Sequence, residues 1–274
     1  MTKNNNKYFD FKFDYISPIV FTAIHNGHSI FNNIVKNNLA INSSDRLREE
    51  DPYTDEFAKL AGNSIVVNVS RFEIELNRKK DESFYIEPSD SWGLKTRIKK
   101  PSIEEIDSSL SIYDEFYKIV EIYFKKLIDK FGFIFILDIH SYNHQRGGVN
   151  TKFDDPIKNP DIIIGRSNMP KEYNEIAKVL NSFYSDYSFF ANGKKTNSQL
   201  DVKYPGGAFP RWVHNRFENQ ACCIALEYKK FWMNEWTGEI DKYLFEKIKK
   251  SLFDIQPLIK KFISNQSSCL YIKD

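Results

Sequence analysis

The chain has 274 residues, of which 41% are hydrophobic and 15% aromatic, so it has enough apolar material for a large core and is not a disordered protein. Its 39 lysines and arginines against 37 aspartates and glutamates give a formal net charge of +2, which excludes a general attraction to nucleic acid or to an anionic membrane. Three cysteines, Cys222, Cys223 and Cys269, exclude a disulfide scaffold and predict reduced, buried thiols.

The sequence shows no pattern typical of export or of a membrane span. The first seven residues are polar, and the apolar stretch of a secretory signal does not follow them. No apolar run approaches the roughly 18 residues that a transmembrane helix requires. We therefore expect a cytoplasmic protein that binds neither membranes nor nucleic acid, and the sequence does not specify its oligomeric state.

Short apolar runs alternate with helical patterns along the chain. In chain order, the pattern predicts a strand at 19–24, a helix at 55–62, a strand at 64–69, a long helix within 103–130, strands at 133–139 and 161–165, a helix at 171–184, a strand at 221–226, and a helix at 242–263 interrupted at Pro257. The long helix is clearly amphipathic, because its apolar residues recur every three or four positions from Ile112 to Leu127.

Strands that alternate with helices indicate an α/β fold, here as one domain over 1–274 with a mostly parallel or mixed central sheet and helices on both faces. The run at 133–139 is apolar on both faces, as a central strand should be. In such sheets, ligands bind at the carboxyl ends of the strands. The ionisable residues at those ends are therefore the candidates for a functional site.

Two histidines and a glutamate lie at the ends of three predicted strands. His25 directly follows the strand at 19–24, His140 follows the strand at 133–139, and Glu227 closes the strand at 221–226. Ionisable groups beside apolar runs are costly unless they are paired or ligated, so we interpret the three as one site rather than as separate strand ends. Neutral imidazole is a preferred ligand of divalent metals, zinc above all, and the two histidines predict a metal centre.

A catalytic zinc site needs three protein ligands, and the residue pattern leaves the third ligand open. His28 lies three residues after the first histidine, whereas Asp55 and Glu56 begin the helix that follows the first predicted strand. Asp138 lies two residues before the second histidine. This aspartate either fixes the tautomer of an imidazole or caps a neighbouring loop.

Two further segments have the composition of substrate-binding loops. The first is Ser70-Arg71-Phe72-Glu73-Ile74-Glu75-Leu76-Asn77-Arg78, which either anchors an anionic substrate through its arginines or is a solvated loop balanced by its own glutamates. The second is Tyr204-Pro205-Gly206-Gly207, which either approaches a ligand with its backbone or forms an ordinary turn.

Four motifs, in this order along the chain, resemble those of the N-formylglutamate amidohydrolase family, a branch of the zinc carboxypeptidase-like superfamily. They are Ile24-His25-Asn26-Gly27, Ser70-Arg71 with Glu75-Leu76-Asn77-Arg78, Asp138-Ile139-His140-Ser141, and Leu226-Glu227-Tyr228 with the aromatic and Glu235-Trp236-Thr237 segment that follows. The resemblance runs from about residue 17 to about residue 240. The chain departs from the family pattern where Ile24 replaces a proline and Glu75 replaces an aspartate.

The resemblance implies a zinc carboxypeptidase or phosphorylase/hydrolase-like fold with one zinc ion per chain. His25 and His140 would bind the ion, and a carboxylate from Asp55 or Glu56 would complete the set. In zinc carboxypeptidases the carboxylate ligand comes three residues after the first histidine, where this chain has His28.

The resemblance also implies roles for the other matched residues. Asn77 and Arg78 would hold a carboxylate of the substrate, and Arg71 would bind the substrate or the developing oxyanion. Glu227 would be the general base. The segment with Tyr204 and Gly206 also resembles a family segment, which makes these two residues candidates for substrate binding.

The sequence therefore predicts a zinc-dependent amidohydrolase that cleaves the amide bond of an N-acylated amino acid such as N-formylglutamate, a small molecule with a free carboxylate. A second hypothesis is a carboxypeptidase-like peptidase that trims a peptide or a cell-wall fragment, and a larger open groove would favour it. A third is a metal-free binding protein on the same scaffold, which would purify without stoichiometric zinc.

Overall fold

The computed structural model describes residues 2–270 of the chain, and side chains within 6–266. One mixed sheet contains the strands β1 (Thr2–Asn5), β2 (Phe9–Phe13), β3 (Ile19–Ala23), β4 (Asn63–Val67), β5 (Ile134–Tyr142), β6 (Ile162–Gly165), β7 (Ser198–Leu200) and β8 (Ala221–Lys229). Across the sheet their order is β1-β2-β4-β3-β5-β8-β6-β7. The four central strands β4, β3, β5 and β8 are parallel, while β2 and β6 pair antiparallel with β4 and β8.

Helices cover both faces of this sheet. They are α1 (Asn33–Asn38), α2 (Ser43–Glu49), α3 (Thr54–Ala58), α4 (Ile103–Phe131), α5 (Asn174–Asp186), α6 (Ala208–Arg216), α7 (Lys242–Asp254) and α8 (Gln256–Leu270), with 3-10 turns at Lys80–Glu82, Pro88–Ser91 and Lys171–Tyr173. Helices α4 and α6 pack on one face, and α3, α5, α7 and α8 pack on the other. The predicted α/β fold with helices on both faces is therefore confirmed. Within residues 2–270, no helix combines the length and the apolar character that crossing a membrane requires.

Strand β5 lies at the centre of the sheet and is buried along its whole length. Phe135 and Leu137 point into one apolar cluster, and Ile134 and Ile136 point into the other. Burial of each such side chain stabilises the fold by about 1.5–3 kcal/mol. This is why the strand is a continuous apolar run instead of an alternating one.

Helix α4 matches the amphipathic pattern that predicted it. The side chain of Ser102 accepts a hydrogen bond from the backbone N–H of Glu105 at its start, and Gly132, with φ of 75°, ends it. Its apolar stripe, including Phe116 and Leu127, is buried against the sheet. The packing of this stripe closes the face of the sheet on which α6 also lies.

The sequence predicted neither the strands β1, β2 and β7 nor the helices α1, α2 and α6, and the elements it did predict differ from the observed ones mainly at their ends. Strands β5 and β8 extend beyond the apolar runs, so that polar residues near their carboxyl ends belong to the strands themselves. The interruption predicted at Pro257 is present: the segment forms two helices that divide at Ile255, because proline lacks the N–H that a continuous helix needs. Cys222 and Cys223 are buried free thiols in β8, and the side chain of Cys269 lies outside the described residues.

His214 joins helix α6 to the sheet through its imidazole ring. Its Nε2 accepts a hydrogen bond from the backbone N–H of Cys223, and its Nδ1 lies 2.9 Å from Oδ1 of Asn168. This arrangement requires a neutral ring with its proton on Nδ1. Burial lowers the pKa of His214 to about 4.

Replacing His214 with glutamine is expected to reduce the loss of stability in acid. The unfolded imidazole binds a proton below about pH 6.5, whereas the folded one binds it only below about pH 4. The free energy of unfolding therefore falls by about 3 kcal/mol as the pH drops through this range. Urea unfolding at about pH 7 and about pH 4.5 measures the free energy of unfolding of both proteins. Between these two pH values, the variant should lose about 3 kcal/mol less of it than the wild type. Equal losses would contradict the assignment.

Candidate functional site

The carboxyl ends of β3, β5 and β8 lie side by side at one edge of the sheet. His25 lies two residues beyond the end of β3, and His140 on β5 is the register partner of Glu227 on β8. The ring centroids of the two histidines are 4.7 Å apart. The structure thus brings together three residues that are widely separated in the chain.

Asp51, a residue that the sequence analysis did not select, lies between the two histidines. Its Oδ2 lies 3.1 Å from Nδ1 of His140 and 3.5 Å from Nδ1 of His25. All three residues are buried, and each offers a ligand atom within 4.8 Å of the others. Two imidazoles and a carboxylate form a donor set typical of zinc, so this buried group fits a metal ion.

The backbone around Asp51 is held firmly against the sheet edge. The N–H of Asp51 donates to the carbonyl of His25 at 3.0 Å. The Nζ of Lys230, directly after β8, donates to the carbonyls of Arg48 at 2.6 Å and Glu50 at 2.9 Å. Burial lowers the pKa of Lys230 to about 8. Contacts from His25 and Lys230, which follow two strands distant in the chain, therefore determine where this carboxylate lies.

Each imidazole is held on its opposite side by a second buried carboxylate. Nε2 of His25 lies 2.5 Å from Oε1 of Glu75, and Nε2 of His140 lies 2.8 Å from Oδ2 of Asp138. Carboxylates in this position fix the ring orientation and the tautomer of metal-binding histidines. Both Nδ1 atoms therefore face Asp51, and of the two roles considered for Asp138 the structure shows the imidazole partner.

The charges of this cluster shift the pKa values of its members. Burial alone would raise the pKa of Asp51, but its hydrogen bonds with the two imidazoles outweigh burial and lower it well below the usual range. Burial alone would lower the pKa of His140, but the charges of Asp138 and Glu227 raise it well above the usual range. Burial raises the pKa of Glu227 to about 7, and the His140 charge opposes this shift. Glu227 can therefore exchange a proton near neutral pH.

The other residues considered as third ligand lie elsewhere. Oδ2 of Asp55 pairs with Nζ of Lys59 one helical turn later at 2.5 Å, and the side chain of Glu56 is 49% exposed. His28 lies 2.5 Å from Oε2 of Glu50. Among the described residues, the potential metal-binding group has Asp51 in the position that the sequence analysis gave to Asp55 or Glu56.

Asp51 does not stand out in the sequence, because this residue ends a run of charged residues that is typical of a solvated surface. In the structure, Arg46, Glu49, Glu50 and Asp51 are all buried. Pro52 is the signal that could have singled out this aspartate, because a proline there places the preceding residue in an extended segment after the helix.

These residues line one cavity of about 210 Å³. His25, Asp51, His140 and Glu227 contribute to its wall. The same cavity contains all of the residues that the sequence analysis assigned to the substrate, namely Arg71, Asn77, Arg78, Tyr204 and Gly206. The two candidate loops therefore meet the candidate metal centre in a single space.

Arg78 differs from the other arginines of the cavity in having no ion pair with another side chain of residues 6–266. By contrast, Arg71 pairs with Glu75 at 2.5 Å, Arg146 pairs with Glu49 at 2.9 Å, and Arg48 pairs with Asp45 at 3.1 Å. The guanidinium of Arg78 lies instead over the ring of Tyr85, 4.8 Å from its centroid. Its planar fork is therefore available for a carboxylate.

Asn77 links the two candidate loops. Its Oδ1 accepts the backbone N–H of Phe209 at 3.0 Å, and its carbonyl accepts the N–H of Ala208 at 2.8 Å, so Asn77 caps helix α6. A Cβ on Gly207 would lie only 2.1 Å from that Oδ1. Gly206 has φ of 108°, which favours glycine. The close contact with Asn77 therefore requires glycine at position 207, and the backbone conformation favours glycine at position 206.

The sequence model of the N-formylglutamate amidohydrolase family matches residues 17–230. This chain belongs to the N-formylglutamate amidohydrolase family. The structure of N-formylglutamate amidohydrolase from Ralstonia eutropha is similar, with a TM-score of 0.73, 12% identity, and coverage of 95% of this chain and 99% of the other. A gene product from Agrobacterium tumefaciens is similar with a TM-score of 0.57 and 13% identity, over 97% of each chain. No curated protein matches the chain.

Membership of the N-formylglutamate amidohydrolase family confirms the resemblance seen in the four motifs and assigns the chain to the hydrolases. The matched region runs from just before β3 to the residue after β8. Every residue that lines the cavity falls within it. At their low identity, the two similar structures support the fold alone.

Proposed function

We propose that this member of the N-formylglutamate amidohydrolase family is a zinc-dependent amidohydrolase that cleaves the amide bond of an N-acylated amino acid with a free carboxylate. The observation that carries the proposal is the meeting of His25, Asp51 and His140 beside Glu227 in one cavity. An ionisable cluster of this kind, buried at the carboxyl ends of parallel strands, suits metal-assisted hydrolysis.

The volume of the cavity favours a small substrate. Its volume is about 210 Å³. Pockets for drug-sized ligands begin at about 300 Å³. The peptidase hypothesis is favoured by a larger open groove, so the cavity supports a small N-acyl amino acid in preference to a peptide.

Each residue of the cluster has its own role in hydrolysis. His25, Asp51 and His140 would hold the zinc ion, which when bound supplies Lewis acidity to the amide carbonyl and to the attacking water. Glu227 takes a proton from that water at its carboxylate and delivers it to the leaving nitrogen, a role that suits a carboxylate beside His140 in the cavity wall. The guanidinium of Arg71 places positive charge near the developing oxyanion.

The substrate loops bind the rest of the molecule. Arg78 donates hydrogen bonds from its free guanidinium to the substrate carboxylate, and Asn77 lines the same cavity. Tyr204 and Gly206 lie in the Tyr204–Gly207 loop, line the same cavity and shape the space for the substrate. Since Arg78 does not belong to the potential metal-binding group, the anchoring of the carboxylate can be tested separately from the chemistry at the amide.

Replacing Arg78 with alanine is expected to lower kcat/KM for N-formylglutamate about 100-fold, because a charge-assisted hydrogen-bonded pair contributes about 3 kcal/mol. A matched substrate whose anchored carboxylate is converted to an amide should change less than about twofold. Steady-state kinetics on both substrates check this prediction, with alanine at the neighbouring exposed Lys79 as the control. Equal loss on the two substrates would argue against Arg78 as the anchor.

Metal analysis with an activity assay tests the proposed function itself. About one zinc ion per chain, with hydrolysis of N-formylglutamate that chelation abolishes and zinc restores, is the expected result. Less than about 0.2 zinc per chain, with no hydrolysis of N-acyl amino acids after zinc addition, would overturn it. That second result would leave the metal-free binding protein as the better description.

A further inference from the structure

Tyr85 contacts two separate parts of the candidate site. Its hydroxyl donates a hydrogen bond of 2.6 Å to Oε2 of Glu75, and the face of its ring lies 4.8 Å from the guanidinium of Arg78. It lies between the 3-10 turns at Lys80–Glu82 and Pro88–Ser91 and is only 1% exposed. None of the sequence motifs includes it.

We propose that Tyr85 is a positioning residue that orients both the metal ligand His25, through Glu75, and the substrate anchor Arg78. This inference rests on the proposed function of the site. It assigns one role to the hydroxyl of Tyr85 and another to its ring.

The hydroxyl acts through the carboxylate of Glu75. One oxygen of this carboxylate, Oε1, lies 2.5 Å from Nε2 of His25, while Oε2 accepts the Tyr85 hydroxyl and Nε of Arg71 at 2.8 Å. Burial raises the pKa of Tyr85 well above its usual range, so the hydroxyl keeps its proton and remains a donor. Nη2 of Arg71 also pairs with Oε2 at 2.5 Å, and the backbone N–H of Asn77 donates to Oε1 at 2.8 Å. Together with the Tyr85 hydroxyl, these contacts fix the plane of the carboxylate and direct Oε1 at the imidazole. The outer partners of metal-binding histidines influence metal affinity in this way.

The ring acts on Arg78 directly. Since Arg78 has no ion pair within the described side chains, the aromatic face beneath it is what orients its guanidinium. The ring is itself held edge-to-face by Phe72 and Trp92, with centroids 5.7 Å and 6.3 Å away. The substrate anchor therefore lies on a rigid aromatic surface.

The carboxylate partner of His140 also accepts a hydrogen bond from a buried hydroxyl, but the residue that donates it is not aromatic. The hydroxyl of Thr22 donates to Oδ1 of Asp138 at 2.6 Å, and Oδ2 of Asp138 lies 2.8 Å from Nε2 of His140. Replacing Thr22 with valine removes only a hydroxyl from this second arrangement. It therefore provides a comparison in which zinc affinity should change while the position of Arg78 does not.

The test separates the two roles of Tyr85 with two variants and two measurements. Zinc affinity is measured by competition with a chromophoric chelator, and KM for N-formylglutamate is measured at saturating zinc. Y85F should weaken zinc binding about 10-fold and leave KM within about twofold. Y85L should weaken zinc binding to the same degree and also raise KM about fivefold, because the ring beneath Arg78 is gone.

Matched controls exclude a general effect of removing a buried hydroxyl. The buried hydroxyl of Tyr184 pairs with that of Tyr228 at 2.8 Å, and Tyr184 does not line the cavity, so Y184F should alter neither quantity. T22V should weaken zinc binding alone. If Y85L fails to fold, as judged by circular dichroism, Y85M is measured in its place, because the flexible side chain of methionine adapts to the space that the tyrosine ring leaves.

The outcomes distinguish this inference from the proposed function. A wild-type protein that binds no zinc overturns both. A wild-type protein that binds zinc, with unchanged affinity in Y85F, overturns the role of the hydroxyl and leaves the proposed function standing. A KM in Y85L equal to that of Y85F overturns the role of the ring.

Discussion

Replacing Glu227 with glutamine is expected to lower kcat about 1,000-fold while zinc stays bound. Glutamine has nearly the same size and polarity as glutamate, but it cannot accept the proton of the attacking water, and general base catalysis contributes about 10²–10⁴-fold. Glu227 lies on β8 beside His140 and is not among the three residues of the potential metal-binding group. Kinetics on N-formylglutamate and zinc analysis of the same preparation check both halves of the prediction.

The control for this variant is E218Q, which makes the same change at an exposed glutamate before β8. It should retain wild-type activity. A Glu227 variant with kcat reduced less than about 10-fold would assign the proton transfer to another group. A variant that loses its zinc would instead place Glu227 among the metal ligands.

Replacing Asp51 with asparagine is expected to weaken zinc binding by at least about 100-fold, with a corresponding loss of activity at low zinc. Asp51 is the carboxylate that faces Nδ1 of both His25 and His140. Loss of even an outer partner of a metal ligand costs about 10–100-fold in affinity, so loss of a direct ligand should cost more. Chelator competition on the purified variant measures this effect.

The matched control is D55N, because Asp55 is one of the two carboxylates that the family resemblance suggested as the third ligand. The side chain of Asp55 pairs with Lys59 on the surface of α3, so the zinc affinity of the D55N protein should equal that of the wild type. Loss of zinc in D55N with retention in D51N would reverse the assignment. The two variants together identify the third ligand independently of any activity measurement.

The position of the site was predictable from sequence because it follows from local patterns. Apolar runs that end in His25, His140 and Glu227 identify strands, and parallel strands place their carboxyl ends at one sheet edge. The cavity unites these strand ends with the Arg71–Arg78 segment and the Tyr204–Gly207 loop. The family model, which spans residues 17–230, agrees with the motifs recognised in the sequence.

The partners of the individual side chains were not predictable in this way. Arg71 is engaged by Glu75, whereas Arg78 has an aromatic face beneath it, although the two arginines lie in one motif. Tyr85 belongs to no motif, yet it contacts Glu75 and Arg78 through different parts of its side chain. Such contacts depend on the path of loops whose sequences carry no periodic signal.

The amino-acid sequence by itself determined the α/β architecture, the amphipathic helix α4 and the two histidines at strand ends, because hydrophobic periodicity and strand termini are local properties of a chain. Only the tertiary structure decided that Asp51 lies between those histidines. This aspartate is 89 residues from His140, and hydrogen bonds from Lys230 to the backbone on its amino-terminal side hold its segment in place. The free energy that selects this carboxylate comes from long-range packing and hydrogen bonding, which no local pattern of residues records.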